Sequence, residues 1–141
     1  MRGRRAAREC VLKILYASEF NEERLETLID DIVAKEELSE ESRDFTRKLA
    51  LKTQVHRKEF DTSIEQKAEH WDFHRIATLD KIILRMAMCE ILYLDIPPKV
   101  SISEAIEIAK IYSTENSGSF INGILDSFLH DLRAEGRIFV E

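Results

Sequence analysis

The 141 residues include 21 Lys and Arg against 27 Asp and Glu, a formal net charge of −6, with 44% apolar and 34% charged side chains. That length suits one domain burying roughly two thirds of its unfolded surface, and the apolar share excludes a disordered chain. No apolar run approaches the roughly 18 residues of a membrane span, and the basic N-terminus, followed by no small-residue cleavage site, is not expected to be a signal peptide. Only 4 Gly and 2 Pro punctuate the chain, which favours long helices over many-turned β structure.

Residues 2–16, RGRRAARECVLKILY, stand apart. Arg2, Arg4, Arg5, Arg8 and Lys13 against Glu9 give residues 1–13 a charge of +4, so the remainder carries −10. Wound at about 100° per residue, the stretch gathers Ala7, Cys10, Val11, Ile14 and Leu15 on one face. Arg5, Glu9 and Tyr16 fall opposite, Tyr16 only about 20° around the axis from Arg5. Arginines neutralise phosphates, and an aromatic ring on the same wet face offers a platform for an unstacked base. A plainer reading is a solvated basic face with one amphipathic tyrosine.

Leu25, Leu28, Ile29, Ile32 and Val33 have the spacing of an amphipathic helix. Ser39 is a good N-cap for the next one, with Glu40 and Glu41 favourable in its first turn. This helix carries Phe45 and Leu49, then Phe60 and Ile64, with a polar middle around Thr53 and His56. It either runs past residue 65 or breaks near Asp61-Thr62-Ser63. His70 and His74 have a spacing that could hold zinc on a helix. No third or fourth ligand matches, and Trp71 and Phe73 point to a packed corner.

From Leu79 to Leu94 apolar residues lie on nearly every side, interrupted by Lys81, Arg85 and Glu90. Such a helix is expected at the centre of a bundle, ended by Pro97 and Pro98. Ser101-Ile102-Ser103-Glu104 matches a capping box opening a helix to about Tyr112. A polar turn, Ser113 to Ser119, leads to a last helix bearing Ile121, Ile124, Leu125, Phe128 and Leu132. Gly123 within it costs about 1 kcal/mol against Ala, which a close helix crossing would explain. The fold class is therefore all-α, six or seven helices in two groups, about residues 1–68 and 69–141.

Catalytic signatures are missing: no phosphate-binding loop, dinucleotide fingerprint or nucleophile elbow occurs. The carboxylates, Glu104 and Glu107 included, read as caps and surface charge. Cys10 and Cys89 sit within apolar helical patterns and read as small core residues of a reducing compartment. Neither a metal site nor a cofactor is expected. A binding module is the stronger reading and an enzyme the weaker.

Three segments carry a resemblance to a known family: Arg4-Arg5-Ala6-Ala7-Arg8-Glu9-Cys10 leading into Leu15-Tyr16, Ile83-Leu84-Arg85-Met86-Ala87 continuing to Glu90-Ile91, and Pro98 to Lys110 followed by Ser117 to Asp126, SGSFINGILD. In order and content the chain resembles the NusB family of bacterial transcription antitermination factors. The resemblance implies two three-helix bundles and a non-catalytic, cytoplasmic protein. It implies that boxA of nascent ribosomal RNA is bound as a heterodimer with NusE, a ribosomal protein of the small subunit, within the RNA polymerase antitermination complex. It places RNA contacts on Arg4 and Arg5, with Arg2 and Arg8 beside them, on Tyr16, and on Phe120 with Asn116. Asp80 corresponds to the NusE-facing surface. Ala6 stands where some relatives carry a third consecutive arginine, which would either weaken RNA binding or shift load to Arg2.

On that basis four arginines would neutralise about four phosphates, giving a single-strand salt slope near −3. Sequence preference would have to come from base-edge contacts. A helical protein-interaction adaptor, or a homodimer that hides the RNA face, is the competing reading. A recruitment domain fused to an RNA methyltransferase would need a cofactor-binding domain for which 141 residues leave no room.

Overall fold

Helical spacing of the apolar side chains becomes seven α-helices and one 3₁₀ turn in the computed structural model, which describes residues 3–68 and 72–138. In chain order they are α1 (Arg4–Glu19), α2 (Leu25–Val33), α3 (Glu40–Val55), α4 (Arg57–Lys67), the 3₁₀ turn Phe73–Arg75, α5 (Thr78–Tyr93), α6 (Pro98–Tyr112) and α7 (Ser117–Ala134). Arg2, His70 and Trp71 lie outside the described residues.

The chain divides after Val55 into two compact units. In the first, α1 packs against α2 and α3. Its inward stripe of Ala7, Cys10, Val11, Ile14 and Leu15 is almost fully buried, as are Leu28 and Ile29 on α2 and Leu49 and Ala50 on α3. Ser39 caps α3 as expected, its Oγ accepting from the Ser42 backbone N–H at 3.1 Å. Glu40 and Glu41 occupy the first turn of α3, complementing the helix dipole.

In the second unit α5 packs against α4, α6 and α7, and its residues Ile82 to Ile91 are all buried. A helix enclosed on every side buries its polar residues too, and each finds a partner. Arg85, 4% exposed, donates from Nε and Nη2 to the two carboxylate oxygens of Asp61 on α4, at 2.6 and 3.2 Å. Glu90 accepts from the Ser101 hydroxyl at 2.9 Å. At the end of α5 the Tyr93 ring stacks on His56 at 4.0 Å. Its hydroxyl donates to Glu59 at 2.6 Å. That bond, with burial behind it, pushes the Tyr93 pKa up to about 12.

Two helix boundaries differ from the sequence expectation. Regular helix stops at Val55 and resumes at Arg57, so neither alternative read from the sequence, a helix running past residue 65 or a break near Asp61, is what forms. The division into compact units after Val55 puts α4 with α5. The cause is α4's own buried face, Phe60 and Ile64 at 0% exposure, together with the Asp61–Arg85 fork. Helix α6 begins at Pro98, three residues before the expected capping box. Proline suits the first helical position because its missing N–H would lack a partner there. Ser101 thus falls inside the helix and bonds Glu90 instead of capping.

Gly123 does not mark a helix crossing: a methyl group there would meet nothing within 4 Å. The close approach of α6 to α7 is at Gly118, where a methyl would come 3.5 Å from Ile106.

Leu84, fully buried at the middle of α5, should be costly to truncate. Leu84→Ala is expected to destabilise by about 2–5 kcal/mol through lost transfer energy and the cavity left behind. Denaturant unfolding checks this, and a loss below about 1 kcal/mol would mean that α5 is not enclosed.

Candidate nucleic-acid interface

Burial of its apolar stripe decides which residues of α1 reach solvent. Arg5 and Tyr16 are exposed, Tyr16 at 41%, as the helical spacing predicts. The Arg4 side chain is 45% exposed, with its guanidinium 3.6 Å from Glu41 and 4.1 Å above the Phe45 ring. An exposed pair of this kind contributes little and exchanges readily for another anion.

Arg8 differs. It is only 4% exposed, with its guanidinium 5.4 Å over the Phe45 ring. Its position at the edge of the apolar stripe lets the aliphatic stem lie against the core. Arg8 therefore braces α1 against α3, with little of its side chain open to solvent in the free chain.

Phe20, which sequence reasoning missed, is 71% exposed. Its ring meets that of Tyr16 edge-on at 5.0 Å and 65°. An aromatic four residues beyond Tyr16, at the C-cap of the same helix, is the signal that points to it.

The second unit carries a separate cluster. Asp80, in the first turn of α5, is 7% exposed. Its Oδ1 accepts from the Ser113 hydroxyl at 2.7 Å and its Oδ2 from the Ser117 hydroxyl at 2.9 Å. Ser117 also lies 3.0 Å from the Thr114 hydroxyl. These bonds tie the turn before α7 to the start of α5. The carboxylate expected at a partner-facing surface is thus mostly occupied inside the fold. Beside it lies a pocket of about 230 Å³ whose lining includes Arg75, Ile76, Asp80, Thr114, Asn116 and Phe120. Asn116 and Arg75 are exposed and Phe120 is half-buried, so the structure does bring Asn116, Phe120 and Asp80 to one place.

Among the described residues no group of three His, Cys, Asp or Glu is arranged to hold a metal. No helix searched there is long and apolar enough to cross a membrane. Cys10 and Cys89 are buried.

These features define an all-α protein with a cationic, aromatic helix face in one unit and a small aromatic pocket in the other. The chain belongs to the NusB family, whose model matches residues 5–130. It is 45% identical over 141 residues to the transcription antitermination protein NusB of Salinibacter ruber, spanning 98% of this chain and 88% of that protein. T. maritima NusB has a similar fold, with a TM-score of 0.81 at 36% identity over 89% of each chain. NusB in a crystal structure of antitermination factors NusB and NusE in complex with dsRNA has a TM-score of 0.78 at 25% identity, over 88% of this chain and 93% of that one.

Asp80→Ala should leave two serine hydroxyls without their acceptor, Ser117 among them at 2% exposure. A loss of about 1–3 kcal/mol is expected, read as a lower melting temperature with helical content retained. An unchanged melting temperature would show that the serines re-pair at no cost.

Proposed function

We propose that this chain is a bacterial transcription antitermination factor that binds single-stranded boxA RNA as a heterodimer with NusE. It does so without catalysis and in the cytoplasm. The observation that carries the reading is the α1 face: Arg4, Arg5 and Tyr16 exposed together on a helix whose opposite side is buried. Arg4 and Arg5, with Arg2 ahead of them, hold phosphates and set register, while Tyr16 stacks on a base. Phe120 and Asn116 contact RNA on the second unit. Arg8 serves indirectly, by bracing α1.

Membership in a family with relatives named as antitermination proteins, and with a NusB–NusE complex holding RNA, supports the same reading. The charge split supports the partner. Since residues after Lys13 sum to −10, a strand leaving α1 needs another cationic surface, which NusE supplies. Asp80 serves that association indirectly, by fixing the turn before α7.

The test is titration of boxA RNA, a scrambled RNA and a duplex across a salt series, with and without NusE. With Arg8 buried, about three phosphates remain, so the chain alone should show a slope near −2 in log K against log[salt]. Arg5→Ala should remove about 0.7 from that slope. Tyr16→Ala should weaken binding by about 1–3 kcal/mol with the melting temperature nearly unchanged. Equal binding of boxA and scrambled RNA would favour a protein-interaction adaptor or homodimer. Preference for the duplex, the kind of RNA in the related complex, would replace the single-strand reading. Affinity of the chain alone equal to that of the heterodimer would remove the argument for NusE as co-reader.

A further inference from the structure

One exposed apolar side chain standing alone needs no explanation, but Phe20 does not stand alone. At the C-cap of α1 its backbone N–H donates to the Ala17 carbonyl at 3.2 Å, and the Ser18 hydroxyl donates to the Leu15 carbonyl at 2.7 Å. The last turn of the helix is thus tied down. It carries two rings into solvent, Tyr16 at 41% and Phe20 at 71% exposure. Their centroids are 5.0 Å apart and their planes meet at 65°, the edge-to-face arrangement that aromatic quadrupoles favour. Two rings so tilted make an angle and not a platform. Successive bases of a stacked strand are nearly parallel, so a continuous stack cannot lie on both rings. A single unstacked base can: with its face on one ring, it meets the edge of the other.

Charge decides which part of a nucleotide fits there. Arg4 and Arg5 open α1, whereas Glu19, Glu22 and Glu23 flank Phe20 in the chain, and no Lys or Arg occurs between Lys13 and Arg24. Glu22 and Glu23 are exposed, and the C-terminal end of a helix carries partial negative charge of its own. A phosphate is repelled from this end. A neutral base is not, and it covers apolar ring surface otherwise left in water. Tyr16 lies about 16 Å along the axis from Arg5, so phosphate and base are taken at opposite ends of one helix.

We propose that Phe20 is a further base-contacting residue, which with Tyr16 holds one unstacked base in the angle between the two rings. The inference rests on the RNA-binding reading, in which Tyr16 alone receives a base, and deepens it. Since the contact is made by ring faces and edges, it requires an aromatic at position 20 and not merely apolar bulk. It involves no phosphate, so it carries no salt dependence of its own.

The experiment measures binding of single-stranded boxA RNA by fluorescence polarisation across a salt series, for the unaltered chain and for Phe20→Ala, Phe20→Leu and Phe20→Tyr. Melting temperatures are taken alongside, and NOEs between RNA base protons and the Tyr16 and Phe20 rings are recorded on the unaltered complex. Phe20→Ala and Phe20→Leu should each weaken binding about five- to tenfold, with salt slope and melting temperature unchanged. Phe20→Tyr should bind as the unaltered chain does. One and the same base should show NOEs to both rings.

Unchanged binding of Phe20→Ala overturns the proposal, as does full binding by Phe20→Leu, which would leave only apolar cover. NOEs confined to Tyr16 would make Phe20 a support for that ring, and NOEs from two different bases would remove the shared seat; either result overturns it. Arg5→Ala separates this failure from failure of the RNA reading. If Arg5→Ala weakens RNA binding while Phe20→Ala does not, only the assignment of Phe20 falls. If neither has an effect, the RNA reading falls with it.

Discussion

Everything assigned to α1 depends on the helix being unable to turn about its axis. Ala7, Val11 and Ile14 are at 0% exposure, Cys10 at 1% and Leu15 at 3%. Burying a side chain the size of Val, Leu or Ile is worth about 1.5–3 kcal/mol, and a rotation that brought Arg5 inward would expose several of them together. No surface ion pair, at about 0–1 kcal/mol, competes with that. The core therefore sets the direction of the arginines, and Arg8 over the Phe45 ring tightens the fit. Tyr16 shares the wet face because the same stripe excludes it.

The second unit uses a different device for the same end. Helix α5 is buried on all sides, with Asp80, Arg85 and Glu90 among its enclosed residues. Each has a partner on a different segment: Asp61 on α4, Ser101 on α6, and Ser113 and Ser117 around the turn that opens α7. A buried pair contributes little against a well-packed apolar substitute, yet losing one partner is expensive. Such pairs select one register for α4, α6 and α7 around α5. The pocket beside Asp80 depends on that register, because its walls come from the 3₁₀ turn, α5 and the start of α7.

What could be read from the sequence follows from how local each signal is. The two faces of α1, the cap at Ser39 and the enclosure of α5 are periodic or nearest-neighbour features, and the structure has all three. The RNA and NusE assignments came from family motifs in SGSFINGILD and the N-terminal arginines, which periodicity alone could not supply. What the sequence could not supply depends on distant residues. Arg8 reads as another member of an exposed basic run until Phe45, on α3, is placed beside it. Asp80, matched to the NusE-facing surface by the resemblance alone, has its hydroxyl partners in Ser113 and Ser117, more than thirty residues on. The capping box at Ser101 lost to Pro98 because Glu90, eleven residues earlier, takes the serine hydroxyl. Phe20, at the C-cap of α1, lies just past the helical stripe.

The most direct measurement of the central claim is photochemical. Single-stranded RNA carrying 4-thiouridine, bound together with NusE, can be crosslinked and the modified peptides of this chain identified by mass spectrometry. The account predicts crosslinks concentrated on the α1 peptide containing Tyr16 and on the peptide containing Phe120. Crosslinks confined to α2, α3 or α4, with both aromatic residues untouched, would contradict it.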